Sequence, residues 1–117
     1  MATFVVEFRY RVDRQGRSAV HPAHAEYLHD LAERGALLLG GPLVGENAGL
    51  LVYRVGDRAE LQRVLDGEPY LVAGLVADTR ISEWSPGKGS WIPAPICADQ
   101  EVGERGLDRV RIRENLA

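Results

Sequence analysis

The chain has 117 residues, an apolar share of 45% and a net charge of −3, values typical of one folded domain with one hydrophobic core. Basic and acidic residues are interspersed, so no basic stripe is available to bind a nucleic-acid backbone. The single cysteine, Cys97, excludes an intrachain disulfide and a thiolate zinc cage. The longest apolar stretch is too short to span a bilayer, and the first residues lack the pattern of a signal peptide. We therefore expect a soluble, cytoplasmic protein.

The first half of the chain predicts a strand, a helix and a second strand. Residues 3–12 alternate between apolar and mixed positions, the two-residue period of a strand with one buried face. The polar stretch 13–18 predicts a loop. A helix then begins near His21, because Pro22 suits the first helical position, and it ends after Arg34, where Gly35 stops it. Residues 36–44 predict a buried strand, whose Gly-Gly-Pro sequence indicates a bulge or a close approach of the backbone to another group.

The second half of the chain repeats this order. Residues 50–55 predict a strand that forms a hairpin with the preceding one, because the connection is short. Asp57 caps the next helix, which ends at Gly67. Residues 68–73 indicate a shorter helical segment. Residues 75–84 predict the last strand.

This order of elements indicates an α+β, ferredoxin-like βαββαβ fold with a four-stranded antiparallel sheet. Two helices cover one face of such a sheet, and the other face keeps apolar side chains such as Val5 and Val52. An uncovered apolar face needs a partner, so we expect a homodimer. Residues 1–86 form the predicted domain. Residues 87–117 form a C-terminal extension that either packs on the partner subunit or is disordered, with a short strand suggested at 110–113.

Three histidines near the start of the first helix are candidates for chemistry. Helical phase places His24 on the core-facing stripe with Leu28 and Leu31. His29 lies far around the helix and faces solvent, and His21 lies at the cap. An imidazole placed against the sheet suits a general acid or base. The alternatives are a structural, half-buried His24, or a metal ligand shared with His21, for which the sequence offers no third ligand.

Polar residues outside that helix supply further candidates. The segment 66–70 places two carboxylates and a phenol beside a glycine and a proline. Its structural interpretation is a helix end followed by a short helix capped by Glu68. Strand arginines are candidates for an anion-binding wall, although such side chains are commonly solvated or paired. They are Arg9, Arg54 and Arg80.

Five short features follow one another along the chain: Pro22-Ala23-His24, Leu28 with Leu31, Gly35, Gly41-Pro42, and Pro69-Tyr70 followed by Ala73-Gly74-Leu75. In this order they resemble the YCII-related family of small dimeric α/β-barrel proteins. The likeness covers roughly residues 4–84. The resemblance implies a ferredoxin-like fold and a dimer joined through its sheets.

The resemblance also implies a catalytic pair formed by the helix histidine, His24, and an acid just before Pro-Tyr, here Glu68. Members of the family most often carry Asp at that second position, so Asp66 is an alternative partner for His24. We predict that four further residues bind the substrate: Tyr70, Gly41, Pro42 and Arg9.

These features favour a lyase or isomerase that needs no cofactor and acts on a small anionic or phenolic metabolite. The family includes a protein resembling a dehydrochlorinase for a chlorinated hydroxyquinol. In this hypothesis Glu68 orients one nitrogen of His24, and the other nitrogen moves a proton. The rival hypothesis is a non-catalytic dimeric module that binds a small ligand or a partner enzyme. A third, an oxygenase on a similar barrel, shares only the architecture.

Overall fold

The computed structural model describes residues 1–93, and its helices and strands all lie in the compact unit Met1–Ser85. In chain order they are β1 (Ala2–Tyr10), α1 (Arg14–Arg17), α2 (His21–Glu33), β2 (Leu37–Pro42), β3 (Ala48–Val55), α3 (Arg58–Asp66), α4 (Pro69–Val72) and β4 (Val76–Trp84). The strands are arranged in the order β2-β3-β1-β4, and all neighbouring strands are antiparallel. The predicted α+β, ferredoxin-like fold is therefore confirmed.

The core lies on one face of the sheet, where β1 alternates as predicted. Phe4, Val6 and Phe8 are buried on this face and pack with Leu31 of α2 and Leu61 of α3. Each such side chain contributes about 1.5–3 kcal/mol when it leaves water. Both long helices therefore cover the same face of the sheet, and they hold the residues between them in fixed positions.

The opposite face of the sheet keeps the apolar side chains that suggested a dimer. Val5, Val52 and Leu39 lie side by side across β1, β3 and β2. Val52 is nearly buried by its neighbours, whereas Leu39 is 43% exposed and Trp84 of β4 is 49% exposed. A single chain does not test the homodimer, which stays a prediction.

The polar stretch 13–18, expected to be a loop, contains the one-turn helix α1 instead. The side chain of Asp13 accepts a hydrogen bond from the backbone N–H of Gly16 at 2.8 Å and caps this turn. A single turn is too short to show an apolar period, so the sequence pattern could not reveal it.

Strand β2 contains an irregularity, but not at the position that the sequence suggested. The register shifts between Leu37 and Leu39, before the Gly-Gly-Pro sequence that had suggested a bulge. The close approach that the glycines also suggested is present at Gly40. A Cβ added there would lie 3.1 Å from Cδ2 of Leu51. The glycine therefore lets β2 run close to the side chains of β3.

Beyond this compact unit, the structure describes only residues 86–93 of the C-terminal extension, with a turn in which Ile92 N donates to Gly89 O at 3.0 Å. The strand suggested at 110–113 and most of the segment 87–117 lie outside the described residues. Among the helices of residues 1–93, none has the length and apolarity to cross a membrane. The cytoplasmic location stays a prediction.

Candidate active site

His24 and Glu68 meet inside the domain although 44 residues separate them in the chain. Nδ1 of His24 lies 3.0 Å from Oε1 of Glu68, whose side chain is fully buried, while that of His24 is 12% exposed. The core-facing side of α2 carries the imidazole, and the turn between α3 and α4 carries the carboxylate. An ionised carboxylate can only accept, so Nδ1–H donates to it. The arrangement fixes the imidazole by one of its two nitrogens.

Glu68 also caps α4, as the structural interpretation of its segment predicted. The same Oε1 accepts a hydrogen bond from the backbone N–H of Tyr70 at 2.8 Å. Its other oxygen, Oε2, has no hydrogen-bond partner among the atoms of residues 1–93. The cap therefore holds the carboxylate in the position from which it contacts His24.

Asp66, the alternative acid, lies elsewhere. It is exposed at the end of α3, where its Oδ1 accepts a hydrogen bond from Gln62 Nε2 at 2.9 Å. The structure brings Glu68, and not Asp66, to His24.

Tyr70 covers one face of the imidazole. Its ring stacks on that of His24 with 3.8 Å between the ring centroids and 11° between the planes. The edge of Tyr10 meets Tyr70 at 5.6 Å and 82°. Burial raises the pKa of the Tyr70 phenol, and the nearby Arg17 guanidinium acts in the opposite direction. The imidazole thus has a rigid aromatic wall beside it.

An open cleft of about 840 Å³ lies beside these rings, between α2 and the strands β2 and β3. Gly41 and Pro42 line it together with Tyr70 and His24, and their predicted role in substrate binding stays a prediction. Gly49 of β3 forms part of its floor. The volume falls in the range of small-molecule sites, which is about 300–1,000 Å³.

Arg9 does not lie at this cleft. It projects from the opposite face of β1, where its guanidinium donates to the carboxylates of Glu46 and Glu7. These two hydrogen bonds raise the pKa of Arg9. The structure therefore does not bring Arg9 together with the other predicted site residues. The arginines that do line the cleft are Arg14 and Arg17 of α1, which the sequence interpretation missed because their segment was expected to be a loop.

The other two histidines line the same cleft but take no part in the hydrogen bond to Glu68. The ring centroids of His21 and His24 are 6.1 Å apart, and His29 Nε2 lies 3.3 Å from Glu33 on the exposed side of α2. Within residues 1–93 no cluster of three or more potential metal-ligating side chains occurs.

Comparison with known proteins identifies the family. The family model described as YCII-related domain matches residues 3–85. The chain belongs to the YCII-related family. A search of curated proteins found no match.

Several solved structures share the fold of this YCII-related chain. The 5-chloro-2-hydroxyhydroquinone dehydrochlorinase of Burkholderia phenoliruptrix AC1100, in complex with 2,5-dihydroxybenzoquinone, has a TM-score of 0.65 at 24% identity and covers 73% of this chain and 95% of its own. A protein from Agrobacterium tumefaciens has a TM-score of 0.51 at 14% identity, with coverages of 80% and 100%. An antibiotic biosynthesis monooxygenase has a TM-score of 0.50 at 13% identity, with coverages of 75% and 100%. At these identities the likeness shows the fold alone.

Proposed function

We propose that this YCII-related protein is a cofactor-independent lyase or isomerase for a small anionic or phenolic metabolite. In this proposal His24 and Glu68 are the catalytic residues. The observation that carries it is the 3.0 Å contact between His24 Nδ1 and the buried Glu68 Oε1 at the wall of an open cleft. Because Glu68 occupies Nδ1, Nε2 is the ring nitrogen left for a ligand.

A lyase step follows from this geometry. Nε2 of His24 takes a hydroxyl proton from the keto tautomer of a phenolic substrate, in which the carbon that carries the leaving group is tetrahedral. The electrons of the O–H bond form a carbonyl bond, the ring double bond shifts, and the leaving group departs with the electrons of its own bond. The imidazolium formed lies against a buried carboxylate, which stabilises its charge. For a dehydrochlorination the leaving group is chloride, and the proton passes from His24 to solvent before the next turnover. A dehydrochlorinase with the same fold shows that this architecture can host such a reaction, and in this chain the contact between His24 and Glu68 supports it.

The proposal includes a homodimer. The sheet face that carries Val5, Val52 and Leu39 is apolar, and both long helices pack on the other face. A second copy of the chain that applies the same face would cover its exposed part, which includes Leu39 and Trp84, as in a two-fold symmetric interface.

The second candidate function is a non-catalytic module that binds a small ligand. The observation that favours it is the double role of Glu68 Oε1, which also caps α4. A carboxylate retained for the cap would hold His24 in the same position without any turnover. Oxygenase activity is not proposed, because a shared fold at 13% identity does not carry function.

The first test is an NMR measurement of the imidazole protons of His24 in the wild type and in two variants with the same change of charge. We expect a downfield Nδ1–H resonance that Glu68→Gln shifts or removes and that Asp66→Asn leaves in place. An Nδ1–H signal that is insensitive to Glu68→Gln would contradict the pair.

The second test is turnover. Chloride release from chlorinated hydroxyhydroquinones should fall by about 100-fold to 10,000-fold in His24→Ala, the usual contribution of a general acid or base. Release by the wild type no faster than the uncatalysed rate would favour the binding module, and equal enzyme-dependent release by the wild type and His24→Ala would exclude His24 as a catalytic residue. Binding of the compounds without any release of chloride would also favour the binding module.

A further inference from the structure

Helix α1 holds two arginines at the cleft, and one of them is fixed by the fold. Nη1 of Arg17 donates to the carbonyl of Val12 at 2.9 Å and to Oδ1 of Asn47 at 2.7 Å. Nδ2 of Asn47 donates in turn to the same carbonyl at 3.0 Å. The guanidinium is therefore anchored through one nitrogen to the backbone carbonyl of Val12 and to the side chain of Asn47.

The anchored guanidinium lies against the aromatic wall of the site. Its Cζ is 3.8 Å from the ring centroid of Tyr10 and 6.0 Å from that of Tyr70. The first distance is typical of a cation–π contact. Tyr70 in turn stacks on His24. Arg17 and His24 are thus both neighbours of one phenol ring, and both line the cleft.

Arg17 lines a cleft that lacks acidic side chains within residues 1–93. The hydrogen bonds of Arg17 to carbonyl oxygens use Nη1, and its guanidinium also acts on the Tyr70 hydroxyl, so a ligand at the cleft would share the remaining donors with that phenol. The charged side chains that line the cleft are Arg14 and Arg17, and no Asp or Glu lines it in the described part of the chain. The chain as a whole carries −3. A concave positive site on a negative protein concentrates anions.

We propose that Arg17, with Arg14 beside it, binds the acidic group of a planar single-ring substrate, either a carboxylate or an ionised enol or phenol. The planar guanidinium offers two parallel N–H donors to such a group. The anion site takes the role that the sequence suggested for Arg9, whose donors go to Glu46 and Glu7. The placement of the reacting end of the ligand at His24 rests on the proposed function. The anion site itself is independent of it.

The test is the affinity for two anionic probes and one uncharged analogue, measured by calorimetry. The anions are 2,5-dihydroxybenzoquinone and benzoate, and the uncharged analogue is 2,5-dimethoxybenzoquinone. We expect Arg17→Gln to weaken binding of the anions by about tenfold to a hundredfold, the range for a lost charge-assisted hydrogen bond. Arg17→Lys keeps the charge without the planar guanidinium, so its affinity for the anions should lie between that of the wild type and that of Arg17→Gln. Arg63→Gln removes the same charge from the exposed side of α3 and should bind like the wild type.

Three outcomes would overturn the anion site: equal affinity in the wild type and Arg17→Gln, equal affinity for the charged and the uncharged quinone, or no binding of either anion at millimolar concentration. Arg17→Gln loses its anchor to Val12 and could fail to fold. In that case the anion site is tested by the anion affinity of Arg14→Gln and by the salt dependence of anion binding to the wild type. Unchanged affinity in that variant together with salt-independent binding would then overturn it. The two proposals fail separately: equal enzyme-dependent chloride release by the wild type and His24→Ala would overturn the catalytic pair alone, whereas equal anion affinity in the wild type and Arg17→Gln would overturn the anion site alone.

Discussion

A single carboxylate oxygen of Glu68 holds the imidazole of His24 at 3.0 Å while it also accepts a backbone N–H at the start of α4. The structural and the catalytic interpretation of this acid are therefore compatible. The cap positions the carboxylate, and the carboxylate positions the ring. A buried acid without such partners would be costly, because leaving water penalises a charge that is not hydrogen-bonded.

Two substitutions of Glu68 separate the cap from the charge. Glu68→Gln keeps an oxygen that accepts the Tyr70 N–H, whereas Glu68→Ala removes the cap and leaves a cavity in a fully buried position. We expect Glu68→Ala to be less stable than Glu68→Gln by about 1–3 kcal/mol in urea unfolding. Equal unfolding free energies for the two variants would show that the oxygen at the cap contributes nothing.

Gly49 is expected to be intolerant of a side chain because the Tyr10 phenol occupies the space above it. A Cβ at Gly49 would lie 2.7 Å from the Tyr10 hydroxyl, whereas one at Gly41 would meet nothing within 4 Å. Gly49→Ala should cost about 1–3 kcal/mol of unfolding free energy, as overpacking does, and Gly41→Ala should cost none. Thermal or urea unfolding of the two variants checks this. A Gly49→Ala protein as stable as Gly41→Ala would contradict the close packing.

The tyrosines predict a loss of stability at alkaline pH. Burial raises the pKa of all four, Tyr53 most strongly. A raised pKa means that the folded state keeps a proton which the unfolded chain releases above about pH 10. The stability is therefore fully present below that pH and falls above it, by at most about 1.4 kcal/mol per pH unit for the buried Tyr53 and by less for the other three.

The variant Tyr53→Phe tests this contribution. Above about pH 10, the unfolding free energy of this variant should decrease less steeply with pH than that of the wild type, because the contribution of Tyr53 is removed. At neutral pH it should change little, because the Tyr53 hydroxyl has no hydrogen-bond partner among the atoms of residues 1–93. Tyr27→Phe is the comparison. It loses the 2.7 Å hydrogen bond to the Val64 carbonyl and should cost about 1 kcal/mol already at neutral pH. An unchanged alkaline slope in Tyr53→Phe would contradict the assignment.

A charge on the open sheet face should separate the proposed subunits. Leu39 is 43% exposed on that face, so Leu39→Lys disturbs a single chain little but places an unpaired charge in a sheet-to-sheet interface. We expect a halved mass in light scattering for Leu39→Lys. Val44→Lys, at a position that is 97% exposed, should keep the wild-type mass. A monomeric wild type, or equal masses for both variants, would argue against this interface.

Most of the fold was predictable because its elements carry strong local signals. The alternation of β1 and the helical phase of α2 place Phe8 in the core and His24 toward it. The pairing of His24 with Glu68 was not derivable from periodicity. It came from a family resemblance, because a contact between residues 44 apart depends on how α2 and α4 pack.

The role of the arginines could not be predicted for a related reason. The strand pattern correctly put Arg9 on the face opposite the core, but only the packed helices show that the cleft lies on the other face. Arg17 belongs to a single turn of helix, and neither its helical state nor its contact with Tyr10 leaves a periodic signal in the sequence.

The distance along the chain between His24 and Glu68 also bears on how the protein responds to ligands. The imidazole belongs to the first β-α-β half and the carboxylate to the second, so neither half alone contains the site. A ligand that contacts both groups binds only the folded domain, so it shifts the folding equilibrium toward the folded state. Ligand concentration and thermal midpoint should therefore rise together, so a shift in melting temperature can rank candidate metabolites before any reaction is known.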